Sequence, residues 1–181
     1  MLGDENPNEA GSQGSNALAQ TERRVDAEIF KAVMRRLAGG VVVITANNNG
    51  SLYGMTATAF CSVCADPPTI LIIVNRSTRT HPHIQTTRRF AVNILSDRQR
   101  DIAERFAGKL TDQFAGVDYI LPPDGSPAFV GAAASLQCEV TQCIEIGTHT
   151  VFIARVADAD AAELTPLLYH SAQYHRLSAI N

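Results

Sequence analysis

Apolar residues along this chain keep two different rhythms. Phe30, Met34 and Leu37 recur at the spacing of one helical face. Asp26 stands in front of them as an N-cap, so a helix is predicted to start near Asp26 and end at Gly39-Gly40. Beyond it the pattern is that of strands. Val41-Val42-Val43-Ile44-Thr45 is a β-branched run that reads as a buried strand. Asn47-Asn48-Asn49-Gly50 is a turn signal, and the chain returns through Ser51–Phe60 as a hairpin. Thr69–Val74 is the next strand, with Ile70 to Val74 uninterruptedly apolar. A short helix up to Thr87 follows, with Thr80 as its cap and Pro82 in its first turn. Phe90–Leu95 is another strand. Ser96 and Gln99 then form a capping box ahead of a helix with Ile102, Ala103 and Phe106 on one side. Residues 107–130 are irregular and broken by Pro122-Pro123 and Pro127.

Leu136, Cys138 and Val140 alternate with polar residues, the period of a half-exposed strand. Val151, Ile153 and Arg155-Val156 make its partner across a turn at Gly147. Leu167, Leu168 and Tyr169 form a last apolar segment, and the pattern ends near Leu177. Residues 1–25 are polar and aperiodic and read as a flexible tail before one domain over 26–181. Strands with hairpin-scale links and few helices predict a mainly β fold, an antiparallel barrel with peripheral helices.

Composition narrows the functions open to such a barrel. The chain has 181 residues, 45% hydrophobic and 18% charged, with a net charge of −3. No basic stripe exists to release counterions, which argues against nucleic acid as a partner. No apolar run is long enough to span a membrane, and the N-terminus lacks a signal-peptide layout, so the expected location is cytoplasmic. Cys61-x-x-Cys64, Cys138 and Cys143 admit three readings, inert packing residues, a zinc site or a redox pair, and the spacing of the second pair does not suit a zinc ribbon. His81-Pro82-His83 is expected to be exposed, with no carboxylate beside it to complete a metal site. Rossmann, Walker and Gly-x-Ser-x-Gly signatures are missing from the sequence. A protein built this way works through a bound organic cofactor or through binding alone.

One stretch suits such a ligand. Residues 54–68 read Gly-Met-Thr-Ala-Thr-Ala-Phe-Cys-Ser-Val-Cys-Ala-Asp-Pro-Pro. Small side chains let the backbone lie close to a flat molecule, and Thr56, Thr58 and Ser62 supply hydroxyls for its polar edges.

Taken in order, several motifs resemble the short-chain flavin reductases. They are Phe30 through Thr45, Gly54 through Val63, Asp66-Pro67-Pro68, Asn75 through His81, Phe90 through Leu95, Gly147-Thr148-His149, and Pro166 through Tyr169 with Tyr174. The resemblance covers about residues 26–177. It implies an FMN-binding split β-barrel of Greek-key type, working as a homodimer. It implies that NADH or NADPH reduces free FAD or FMN, and that the reduced flavin passes to a separate monooxygenase. It places Thr56, Ala57, Thr58, Ala59 and Ser62 along the flavin ring and ribityl chain. Asn75, Ser77 and Thr80 would reach the phosphate, with Arg76 or Arg79 adding charge, and Tyr174 joins the cofactor-binding set. His149 would be the catalytic residue, beside the flavin's reactive face, placing the nicotinamide. The family usually has Asp where Thr148 stands and Ser where Cys64 stands, which leaves the orientation of His149 open. FAD and NADH are the expected pair, since no second basic cluster suggests a 2′-phosphate site; FMN and NADPH are the alternatives. A tight flavin carrier or oxidase on the same barrel, and a zinc-stabilised binding module, are the competing readings.

Overall fold

The computed structural model describes residues 25–180, so the predicted tail lies almost wholly outside the described residues. In chain order the elements are α1 (Ala27–Met34), β1 (Gly39–Gly40), β2 (Val42–Asn48), β3 (Ser51–Ala57), β4 (Phe60–Ala65) and β5 (Pro68–Asn75). Then come α2 (His81–Thr87), β6 (Arg89–Ile94), α3 (Arg100–Ala107), β7 (Tyr119–Ile120) and β8 (Ala128–Phe129). The chain closes with β9 (Ala134–Ile146), β10 (His149–Ala161), β11 (Leu167–His170) and β12 (Gln173–Arg176). The fold is mainly β, as expected.

Seven strands form one antiparallel sheet in the order β3-β2-β6-β9-β10-β5-β4. Strand β4 follows β3 in the chain, yet the two lie at opposite edges of that order. In a flat sheet those edges would be roughly 29 Å apart at about 4.8 Å per strand. Only Thr58 and Ala59 join them, and Ala57 to Phe60 spans at most roughly 11 Å. The sheet must therefore curl until its edges meet, which makes it a barrel split at the β3/β4 seam. Strands β6, β9 and β10 are successive neighbours, and β5, which precedes them in the chain, lies against β10. That return is the Greek-key connection.

Inside the barrel, Val42 and Ile44 of β2, Ile70, Ile72 and Val74 of β5, Phe90, Phe152 and Ala154 pack as one cluster. The opposite face of β2 is also buried: Val43, with Val41 just before the strand, packs under Ala103 and Phe106 of α3 and beside Phe129. This is why residues 41–45 read as a continuous apolar run. The irregular segment before β9 is pinned by buried polar groups. Thr45 Oγ1 and Asn93 Nδ2 donate to Pro127 O at 2.7 and 3.1 Å, and Phe129 N donates to Asn93 Oδ1 at 2.7 Å.

Several expectations need correction. Asp26 caps α1 as predicted, its Oδ1 accepting from Ile29 N at 2.8 Å. The helix nevertheless ends at Met34, and Gly39-Gly40 forms a short strand paired with β11. The return from the Asn49-Gly50 turn ends at Ala57, and Phe60–Ala65 is a separate strand, β4, that the sequence reading left out. The core face of β10 is Thr150, Phe152 and Ala154, so Val151 and Ile153 face outward. Thr80 occupies the N-cap of α2 without a side-chain cap bond. Gln99 Oε1 accepts from Ser96 N at 3.1 Å, but Ser96 Oγ donates to Gly131 O, so half of the capping box forms and α3 starts later. Ser171 and Ala172 make a β11–β12 hairpin turn with positive φ at both residues (49° and 63°).

The cysteines divide. Cys138 is buried, and burial pushes its thiol up to about 12. Cys61, Cys64 and Cys143 are exposed, so the packing reading fails for them. Among the described residues, no three His, Cys, Asp or Glu side chains converge to hold a metal ion. His81 is buried rather than exposed: it hydrogen-bonds Thr150 Oγ1 at 2.8 Å and lies against Phe152. His83 stacks on Tyr53 with ring centroids 3.5 Å apart. Among the described residues, no helix is long and apolar enough to cross a membrane.

Candidate functional site

Helix α3 lies across β3, and a cleft opens beside their contact. Its volume is about 460 Å³. The close approach depends on Gly54. A Cβ there would stand 2.5 Å from Cδ1 and Cε1 of Phe106, so only a residue without one lets the ring lie on the strand. Phe106 is held in turn by Phe114 and Phe129, with centroids 5.0 and 5.2 Å away. Thr56 ties the two elements together, its Oγ1 donating to Ala103 O at 2.7 Å.

One wall of the cleft is the turn after β5. Asn75 Oδ1 accepts from both Ser77 N and Ser77 Oγ at 2.9 Å, and Thr78 Oγ1 donates to Asn75 O at 2.8 Å. Ser77, Thr78, Arg79 and the buried Thr80 thereby line the cleft from one side, with Lys109 and Gln113 opposite. Two cations, Arg79 and Lys109, thus share a space that is otherwise lined by hydroxyls, the Gln113 amide and the apolar surface of Met55, Phe106 and Ala107.

At its other end the cleft continues, through Thr56 and Ala107, into a smaller space of about 240 Å³ lined by Ala57, Thr58, Tyr169 and Tyr174. The tyrosine rings meet edge to face at 5.2 Å, and Arg100 lies over Tyr174 at 5.5 Å. Burial first, then Glu104 and Tyr169, push the Tyr174 phenol upward against the pull of Arg100, so it stays protonated at neutral pH. Thr58 and Tyr169 lead on to a third space of about 340 Å³ against α1. The result is one trench in which the main cleft carries Arg79 and Lys109, its extension the tyrosine pair, and the space against α1 two further cations, Lys31 and Arg35.

Of the residues singled out in the sequence, Thr56, Ser77 and Thr80 line the main cleft, and Ala57, Thr58 and Tyr174 line its extension. Ala59 and Ser62 are exposed along the seam and line neither. Asn75 shapes the turn from behind. Arg76 is committed elsewhere: it pairs with Glu145 Oε2 at 3.0 Å and donates to Gly147 O at 2.6 Å, bracing the β9–β10 turn. That turn carries His149, half-buried at the start of β10 and paired in register with Asn75. Thr148 Oγ1 lies 2.9 Å from His149 Nδ1 and holds the ring. His149 lines neither the main cleft nor its extension.

Sequence reasoning missed Gly54 as a packing requirement, and Phe106, Lys109 and Gln113 as cleft walls. Phe106 was legible only as one face of a helix, and nothing in its spacing says that β3 is what the helix covers. Lys109 directly follows Gly108 at the end of α3, a signal visible only once the helix end is known.

Comparison with known proteins agrees with this geometry. A family profile described as Flavin reductase like domain matches residues 34–178. An FMN reductase (NADH) RutF of Stutzerimonas stutzeri (strain A1501) is 34% identical over 155 residues, covering 84% of this chain and 89% of that protein. The reductase component of a 4-nitrophenol 4-monooxygenase/4-nitrocatechol 2-monooxygenase from Rhodococcus opacus is 36% identical over 150 residues, covering 83% and 80%. A longer relative, a probable flavin reductase of Rhizobium meliloti (strain 1021), is matched over 48% of its own length. Among solved structures, the Streptomyces globisporus NADH:FAD oxidoreductase SgcE6, in complex with NAD and FAD fragments, superposes with a TM-score of 0.80 at 32% identity, covering 84% of this chain and 93% of that one. With the profile match spanning most of its length and a split barrel shared with solved relatives, the chain belongs to the flavin reductase family.

Proposed function

We propose that the protein transfers a hydride from NADH to a flavin held in the trench and releases the reduced flavin to a separate monooxygenase. The observation that carries this reading is the contrast between the extension, with its tyrosines and small hydroxyl residues, and the adjoining main cleft, with its two cations. An isoalloxazine ring suits the first and a phosphate the second. The residues fit a flavin: Gly54, Thr56, Ala57 and Thr58 are small, Met55 and Phe106 add apolar surface, and the main cleft falls within the usual range for ligand sites.

In this reading the backbone and hydroxyls of Thr56, Ala57 and Thr58 meet the ring and ribityl chain, Ala59 and Ser62 lie outside the trench on the exposed seam, and Tyr174 closes the ring end. Ser77 and Thr80 offer hydroxyls to the phosphate on a turn set by Asn75, while Arg79 and Lys109 neutralise it. His149 is the catalytic residue, orienting the nicotinamide, with Thr148 and Arg76 as positioning residues behind it. The flavin supplies the hydride-accepting N5, so the chain's own work is to bind, align and exclude water. Reacting atoms need to approach to roughly 3–3.5 Å. The relatives named for NADH support that nucleotide, and the reductase component of R. opacus supports delivery to a monooxygenase.

The working form in this reading is a homodimer. Helix α1 buries none of its residues against its own chain: Phe30, Val33 and Met34 are exposed, as is Leu37 just beyond it. A helix this short does not hold together in water without packing. The outer face of the sheet adds Ile73, Ile144 and Ile146. A second copy would cover both surfaces.

Purified protein should oxidise NADH only when FAD or FMN is added, read as loss of nicotinamide absorbance. A protein that oxidises neither NADH nor NADPH with either flavin would refute the function. One that keeps a stoichiometric flavin through purification and turns over without added flavin would favour the tight flavin carrier or oxidase.

A further inference from the structure

Cys61 and Cys64 line none of the three spaces of the trench, yet both are exposed on β4, which begins two residues past Thr58. In a regular strand, residues three apart point to opposite faces. The register of β4 against β5 changes that. Cys61 stands opposite Leu71 and Cys64 opposite Thr69, and the bulge between Ser62 and Cys64 takes up the extra residue. Leu71 and Thr69 are two apart on β5, so the bulge turns both thiols to one face, the outer face of the barrel. Resting on the flavin reductase reading for the source of its oxidant, we propose that Cys61 and Cys64 are a dithiol that hydrogen peroxide closes to a disulfide, slowing the reductase when its reduced flavin is lost to oxygen.

The geometry permits the bond. Two residues of a strand measure roughly 6.6–6.8 Å, the upper end of the Cα separation that a disulfide spans. Strand β4 is last in the sheet order and only β5 holds it in the ladder, so it has a free edge on which to make the small shift that closure asks. Each thiol gives up only a weak sulfur hydrogen bond: Cys61 Sγ donates to Ser62 O at 3.0 Å and Cys64 Sγ to Pro67 O at 3.1 Å. An exposed disulfide closed under strain is readily reduced, as a reversible control requires. Across the sheet the thiol rows run through Ile153 to Gln142 and through Arg155 to Glu139, whereas Ile73, Ile144 and Ile146 lie towards the other end of the outer face. The pair thus borders the surface offered to a second copy, where a molecule as small as peroxide reaches it.

The chemistry balances. A released reduced flavin gives two electrons and two protons to oxygen, leaving oxidised flavin and hydrogen peroxide. One cysteine thiolate attacks a peroxide oxygen, the O–O bond breaks, and water leaves behind a sulfenic acid. The second thiolate attacks that sulfur, the S–S bond forms as the S–O bond breaks, and a second water leaves. The two thiols are oxidised by two electrons and the peroxide is reduced to water. The link to turnover is short. Phe60 N donates to Thr58 O at 3.0 Å and Ile73 N to Ala59 O at 3.1 Å, so a pull on β4 is passed to Thr58, which lines the extension of the trench.

The test treats reduced protein with hydrogen peroxide, alkylates it and digests it with trypsin. Residues 37–76 form one tryptic peptide holding Cys61 and Cys64 alone, and residues 110–155 form another holding Cys138 and Cys143. The first peptide should lose the mass of two hydrogens and take up no alkyl group, and dithiothreitol should reverse both. NADH oxidation with added FMN should fall at least about threefold and recover with dithiothreitol, since small misplacements at a reacting site cost this much or more. Cys61→Ser and Cys64→Ser should each keep wild-type turnover and lose the peroxide response. Oxygen added to a single cysteine, a disulfide between two chains, a disulfide with turnover unchanged, or a peroxide response that persists in both variants would overturn the proposal. A protein with no flavin-dependent NADH oxidation before treatment would overturn the reductase reading and the control of turnover with it, whereas the mass change reports on the thiol pair alone.

Discussion

Replacing Gly54 by Ala tests whether the α3–β3 contact builds the site. The added Cβ would sit 2.5 Å from two carbons of the Phe106 ring, well inside van der Waals contact. Phe106 cannot swing aside freely, since it is buried and packed against Phe114 and Phe129. The strain must go into a shift of α3 or an off-rotamer ring, a cost of about 1–3 kcal/mol for overpacking of this kind. In a domain of this size that lowers Tm by roughly 3–10 °C. Gly40→Ala is the control: it lies in a strand too, and an added Cβ meets nothing within 4 Å. The assay is urea denaturation with thermal melts, on both variants and on Gly54→Ala/Phe106→Leu. If the clash is the cause, trimming the ring should recover part of the loss, giving a coupling of at least about 0.5 kcal/mol between the two positions. Flavin affinity should fall with stability in Gly54→Ala, because both residues wall the cleft. A Gly54→Ala protein as stable as Gly40→Ala, or strictly additive effects in the double variant, would refute the reasoning.

Three further outcomes are expected. His149→Ala should lower kcat/KM for NADH by about tenfold to a hundredfold, roughly 1.4–2.8 kcal/mol, while flavin affinity holds; Thr148→Val, which removes the bond to Nδ1, should cost about two- to tenfold. Collapse of flavin binding in His149→Ala with NADH kinetics intact would contradict the assignment. The wild type should sediment as a dimer, and Phe30→Asp/Val33→Asp should dissociate it, since burying such side chains is worth about 1.5–3 kcal/mol each; a monomeric wild type would remove the basis for the second copy. Finally, burial first and then Arg76 hold the His81 pKa below its ordinary value, and burial does the same for His83. The unfolded chain takes up these protons near pH about 6.5 while the native state resists, so stability is full above that pH and falls as pH drops towards the folded values. His81→Gln should reduce the acid-side slope of the denaturation midpoint, and an unchanged slope would count against this source.

What the sequence could reveal depended on whether a signal was local. Asp26 and the Asn49-Gly50 turn were legible because each rests on neighbouring residues, and Asn49 and Gly50 do adopt positive φ (52° and 87°) as a tight hairpin requires. The Ser171-Ala172 turn takes the same conformation without the usual Asn or Gly, so composition gave no warning. In β10, Val151, Phe152, Ile153 and Ala154 are apolar on both faces, and alternation cannot choose between them. The outward pair lies in register beside Ile73 and Ile144, on the surface proposed above for a second copy. Strand β4 was invisible because its small and sulfur-bearing residues carry no strand period, and its bulge between Ser62 and Cys64 breaks what period there is. The hydroxyl residues of the trench floor were readable in order from a resemblance. The cations and aromatics opposite them come from residues 106–119, which reach the floor only through tertiary packing.

The Greek-key return of β5 to β10 has a consequence for the newly made chain. Seventy-four positions separate the end of β5 at Asn75 from the start of its partner at His149. At about 5–20 residues per second, a ribosome takes roughly 4–15 s to cover that distance. Through that interval the apolar run from Ile70 to Val74 has β4 on one side and an unpaired edge on the other. Hairpin closure takes only microseconds, so the β4–β5 hairpin waits many orders of magnitude longer than it needs to form. Any pause in translation between α2 and β9 prolongs that exposure. Yield in a cell should therefore respond to chaperone supply and synthesis rate more steeply than the stability of the finished barrel would suggest.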